Sequence, residues 1–228
     1  FPNLTVSIQE LSVIGRDEFA GKTLFAVKNF EIELNLKKII FDDQLSVQGI
    51  LLDHPVIWIK VLANGEANYD IAIVSEETPK VAEETTEEPA EPFKMSIEKW
   101  EIIGGDVTYD DETIPFLMEI KDLNHTGSGD FSLTLFDMLM QTEATLATIS
   151  YDGVTYMKNK ELTADMALAM DMDAFKFTFK DNEFKLNQFA MGLDGWFSMP
   201  EEGFDMDLNI TSKNNSFKSV LSLIPALY

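Results

Sequence analysis

At 228 residues, 45% of them apolar, and with a formal net charge of -23, the chain is long enough for one large or two small β domains and too apolar for a disordered polyelectrolyte. Only 17 Lys and Arg stand against 40 Asp and Glu, and Arg16 is the sole arginine, which argues against nucleic acid and leaves almost no bidentate forks for phosphate. Cysteine is absent, which excludes disulfides, thiolate nucleophiles and the usual structural zinc sites.

The first elements read as strands. Leu4, Val6 and Ile8 alternate with polar residues, the pattern of a ribbon with one apolar face. "EFAGKTLF" suggests a short helix weakened by Gly21, and "NFEIELNLKK" places Phe30, Ile32, Leu34 and Leu36 on one face. "DHPVIWIKVL" is apolar on both sides around Ile57, Trp58 and Ile59, as in a strand covered on both faces. Asn64-Gly65 predicts a tight hairpin of the I′ type.

Ser75 to Pro92 holds seven glutamates, three prolines and no aromatic residue, so it cannot bury enough apolar area to offset the entropy of ordering. The expected organisation is therefore a β region over 1–74, an acidic disordered linker over 75–92, and a second β-rich region over 93–228.

Beyond the linker the same vocabulary returns. Gly104-Gly105 breaks one apolar run, "HTGSGD" reads as a loop containing His125, and "MDAF", "KDNE" and "LDG" divide later strands. Met206, Leu208 and Ile210 alternate once more. Strands about ten residues apart without helical crossovers predict a mainly β fold. The expectation is an antiparallel, meandering, twisted sheet, an open groove or sandwich-like, with few short helices. At the C-terminus Phe217, Val220, Leu221 and Ile224 follow helical spacing, with Asn215 or Ser216 as N-cap and Pro225 at the end, so one amphipathic helix is expected there.

The most distinctive stretch is "ADMALAMDMDAFKFTFK". Met166, Leu168, Met170 and Met172 alternate with small or acidic residues, and Phe175, Phe177 and Phe179 continue the pattern. Such a face packs against another sheet in a closed core, or it meets an apolar ligand.

Chemistry is sparse elsewhere. His54 and His125 are the only histidines, with no G-x-S-x-G nucleophile turn beside them. Gly127 and Gly129 lack the following helix of a phosphate-binding loop. The D-M-D units Asp171/Asp173 and Asp205/Asp207 project carboxylates in pairs, but strand carboxylates do not build the looped site calcium needs. No cofactor, metal or catalytic residue is assigned.

The order and spacing of several elements resemble AsmA-like proteins. The carriers are Phe19, Gly21, Leu24, Val27, Ile32, Leu34, Leu36, Val47, Ile50, Leu52, Pro55, Gly65, Asn68 and Asp70. The later "TFKDNEFKLNQFAMGLDGWFSMP" and "FKSVLSLIPALY" look like AsmA-like proteins of the Bacteroidetes type. This resemblance implies a non-enzymatic envelope protein of a Gram-negative bacterium. It further implies a periplasmic body anchored to the inner membrane by an N-terminal helix missing here, of which this chain is a fragment. The implied role is outer-membrane biogenesis or phospholipid transfer along a hydrophobic groove, for which Met166, Leu168, Met170, Met172, Phe175, Phe177 and Phe179 are the candidate lining, with phospholipid acyl chains as partners and protein partners unknown. Two alternatives stay open: a structural or protein-binding β module with a closed core, and an envelope glycan hydrolase using a carboxylate pair.

Overall fold

The structure, a computed structural model, describes residues 3–41, 46–70, 96–200, 203–213, 216–221 and 223. The expected linker and the positions Asn215, Ile224 and Pro225 lie outside these. In chain order the elements are β1 (Leu4–Ile14), a 3₁₀ turn (Asp17–Phe19), β2 (Thr23–Leu34), α1 (Leu36–Phe41), β3 (Ser46–Asp53) and β4 (Val56–Val61). Then follow β5 (Ser96–Asp111), β6 (Phe116–Ser128), β7 (Leu135–Tyr151), β8 (Val154–Asp171), β9 (Lys176–Leu186), β10 (Phe189–Ser198), β11 (Asp205–Ser212) and α2 (Phe217–Leu221).

All eleven strands join one sheet in the order β1-β2-β3-β5-β6-β7-β8-β9-β10-β11, with β4 set between β2 and β5. The mainly β expectation holds. The antiparallel expectation fails at one place: β3 and β4 both run parallel to β5. Their register with β5 is unchanged from Ser46↔Ser96 to Val61↔Asp111, so β3 and β4 are two halves of one strand. The break falls at His54, whose φ of 51° is left-handed, and Pro55, which has no N–H to donate.

Several expected loops are instead irregularities within long strands. Gly104 (φ 60°) interrupts β5, Asp122 (φ 52°) β6 and Asp181 (φ 52°) β9, each beside a register shift. "HTGSGD" begins inside β6, "KDNE" lies inside β9 and "LDG" inside β10. A bulge leaves ladder groups unpaired, and side chains take over several of them. Asn124 Oδ1 accepts from the Gly104 N–H, Asp194 Oδ1 from Asp181 and Asn182 Oδ1 from Ala167. Periodicity cannot separate such a bulge from a loop, because both break the alternation.

Other differences are local. "EFAGKTLF" contributes the 3₁₀ turn and the start of β2 rather than a helix. Gly65 (φ 86°) is the last residue of a Leu62–Gly65 turn, closed by its N–H donating to Leu62 O. Because Asn64 keeps a negative φ, this is a type I turn with a glycine bulge rather than type I′. In α2, Phe217, Val220 and Leu221 are exposed and only Ser219 is buried, so the expected apolar face does not pack down.

Replacing Asn182 by Ala removes the acceptor for the partly buried Ala167 N–H, a loss of about 1 kcal/mol. A lowered urea midpoint at unchanged slope is expected, and an unchanged midpoint would show that the bulge does not need this staple.

Candidate apolar face

Strand registers determine which side chains share a face. One row runs Val6, Ile32, Ile50, Trp100, Gly127, Met140, Met166 from β1 to β8. Nearer the β6–β7 loop, Phe136, Met170, Phe177, Phe197 and Met206 form another row across β7 to β11. Between these two, Met138, Leu168, Phe179, Gly195 and Leu208 align. The opposite face is polar: Ser7, Glu31, Leu51, Glu101, Thr126, Gln141, Asp165 and Glu183 fall in one row. There Gln141 donates to Asp165, and Lys99 and Lys213 approach Glu33 and Glu183.

Among the described residues, elements in substantial contact are hydrogen-bonded neighbours in the sheet. All strands among the described residues belong to this one sheet, so no second sheet of theirs packs over the apolar face. Its hydrophobic cluster is assembled along the sheet: Phe136, Leu168 and Met170 are buried, and Met138, Met140, Met166, Phe177 and Phe179 pack against them half-buried. Two open depressions of about 480 and 320 Å³ lie mainly on the polar side, where Gly49 and Ala167 carry little side chain.

Of the seven candidate residues, five come together here: Met166, Leu168 and Met170 on β8 and Phe177 and Phe179 on β9. Met172 and Phe175 do not join them. They occupy the β8–β9 turn, exposed, with Phe175 at φ 44°. Phe136, Met138 and Met140 were missed, although "LFDMLM" carries the same alternation.

One polar chain interrupts the apolar side. Trp100 Nε1 donates to His125 Nε2 at 2.9 Å, and His125 Nδ1 lies 2.9 Å from Thr142 Oγ1. An indole nitrogen only donates, so His125 Nε2 must be the acceptor and Nδ1 carries the proton. The indole lies over Gly127, where an added Cβ would stand 2.0 Å from the ring. The sequence reading placed His125 in a glycine-rich turn. The structure places it on β6, between Ile102 and Thr142 in register, with burial holding its pKa below the ordinary value.

The D-M-D carboxylates lie at a turn and on an exposed strand. Asp171 Oδ1 accepts from the Ala174 N–H and shapes the turn, while Asp205 and Asp207 sit on the exposed strand β11. Among the described residues no group of three or more His, Cys, Asp or Glu is placed to hold a metal ion. Nor is any described helix long and apolar enough to cross a membrane.

The sequence model of the AsmA family matches residues 1–128. The chain belongs to the AsmA family. The match ends at Ser128, the last residue of β6, so β7 to β11 continue the AsmA-family sheet beyond the matched segment. The family is associated with the cell envelope, and membership is consistent with an envelope role related to lipid transport. No significant match is found among curated proteins or among solved structures.

His125 gives a pH dependence with a defined sign. Its folded-state pKa is depressed by burial, so the unfolded chain, near 6.5, takes up the proton first as pH falls. Its contribution is present above about pH 6.5 and lost as pH drops through the folded-state value. His125→Gln, which keeps an acceptor for Trp100 and a donor for Thr142, is expected to flatten the stability profile between pH 7.5 and 5. Parallel profiles for the two proteins would assign the acid sensitivity elsewhere.

Proposed function

We propose that this AsmA-family chain is a non-enzymatic, lipid-handling segment of an envelope protein. In this reading the apolar face of the sheet is a trough for the acyl chains of phospholipids during outer-membrane assembly. The observation that carries it is the continuity of apolar rows from β1 to β11 without a covering layer among the described residues. A closed-core module would bury those rows against partner side chains within the same chain. Here Met138, Met140, Met166, Phe177 and Phe179 keep part of their surface in solvent.

The energetics favour a hydrocarbon guest. Each methylene removed from water contributes about 0.8 kcal/mol, so a sixteen-carbon chain shielded on one side gains about 6 kcal/mol. Methionine, unbranched and polarizable, adapts to a mobile chain. The polar reverse face keeps the same sheet soluble. The setting that goes with this function is the periplasm of a Gram-negative, Bacteroidetes-type envelope, with anchorage to the inner membrane. The family resemblance supports that setting, as does the acidic surface, which is suited to solution rather than to an anionic leaflet.

Photo-crosslinking residues placed at Met138, Met166 and Phe179 are expected to label phospholipid from mixed vesicles. The same residue at Gln141 or Thr178, on the polar side, should not. Met166→Glu is expected to lower lipid recovery about tenfold with a melting temperature close to wild type, since the site is half-exposed. Equal labelling of both faces, or none, would remove the trough.

A further inference from the structure

Three connections leave the same end of the sheet: the β6–β7 loop, the β8–β9 turn and the β10–β11 connection. Each carries large apolar side chains outward. Phe131 and Leu133, Met172 and Phe175, and Met199 and Phe204 are between 37% and 68% exposed. The same strands turn at their other end through Asp152-Gly153 and Asn187-Gln188. Turn residues are ordinarily of that second, polar kind.

The described residues of these connections form one braced rim. The Met172 N–H donates to Thr134 O at 2.8 Å and the Met199 N–H to Phe175 O at 3.1 Å, which ties the three together. Two acidic residues shape the turns: Asp130 accepts from the Ser132 N–H and hydroxyl, and Asp171 from the Ala174 N–H. Lys176, at the start of β9, is drawn over the Trp196 ring at 4.2 Å. The rim is also continuous with the apolar face. Phe131 stands 5.0 Å from Phe136 and 5.7 Å from Trp100, and Phe204 stacks 5.7 Å from Phe197, which stacks on Phe177.

We infer that this rim is a membrane-docking mouth whose apolar tips insert into the hydrocarbon edge of a zwitterionic lipid bilayer. It rests on the acyl-chain reading of the face behind it. An uncharged bilayer is favoured because the rim offers apolar side chains without a cationic patch, so anionic lipid gains nothing from it. Tips on separate turns enter a lipid surface one by one, while the ring contacts behind them give an acyl chain an apolar path from bilayer to sheet. The preformed bracing lowers the ordering cost of insertion. Met172 and Phe175 thereby belong at the mouth rather than along the lining.

Flotation of the full chain with phosphatidylcholine vesicles tests this. Wild type is expected to float, equally in 0.1 and 0.5 M NaCl. The triple variant Leu133→Asp, Phe175→Asp, Phe204→Asp is expected to float at least tenfold less. Val154→Asp, at the opposite end, should match wild type. All four positions are exposed, and circular dichroism and melting check that each variant folds. Binding of a free fluorescent fatty acid, measured in parallel, should survive in the triple variant. Failure of wild type to float while fatty acid still binds would overturn the mouth and leave the trough standing. Flotation without fatty-acid binding would support the mouth and remove the trough. Equal flotation of the triple variant, or a wild-type dimer that the triple variant dissolves without any flotation, would overturn the mouth.

Discussion

The backbone ladder between neighbouring strands carries this structure. In a sandwich, two sheets hold one another through interdigitating side chains. Here each strand is held by the strands beside it and by side chains that pack along one face. Long strands follow from that arrangement: β7 and β8 run 17 and 18 residues, well beyond the usual strand. Many ladder bonds per pair hold a sheet that has no covering layer among the described residues.

Long ladders accumulate twist, and the bulges bend the strands and sharpen that twist locally. His54, Gly104, Asp122 and Asp181 depart from strand geometry with φ between 51° and 60°. Asparagine and aspartate serve nearby for a physical reason: they are short, accept hydrogen bonds, and Asp tolerates the left-handed region. Part of the chain's large acidic content is therefore structural, spent on closing gaps in the ladder and shaping turns. The Nδ2 of Asn182 remains buried without a partner, a local penalty accepted where Oδ1 replaces a ladder bond.

The sidedness of the fold was legible in the sequence because alternation of apolar and polar residues needs no knowledge of partners. Met166, Leu168, Met170, Phe177 and Phe179 were found this way, and the AsmA motifs pointed to the family later matched over 1–128. Partners themselves were not legible. The parallel pairing of β3 and β4 with β5 joins segments on either side of residues 71–95, and no local pattern encodes a pairing across that distance. His125 was misplaced because Gly127 and Gly129 imitate a turn. The first of these glycines is there to seat the Trp100 ring, a contact between strands that one strand's sequence does not reveal. Met172 and Phe175 keep the alternation while leaving the strands, because periodicity carries no signal for where a strand ends.

The edges of this sheet have a consequence for how such a protein can grow. Among the described residues, β1 and β11 each pair on one side only, and their apolar side chains Val6 and Leu208 are left partly in solvent. A barrel has a closure condition that fixes strand number and diameter together; a one-sided ribbon of this kind has none. Adding or deleting a hairpin would lengthen or shorten it by a fixed step and leave the existing registers as they are. Span then becomes a quantity that duplication of short segments can tune, without redesign of the part already built.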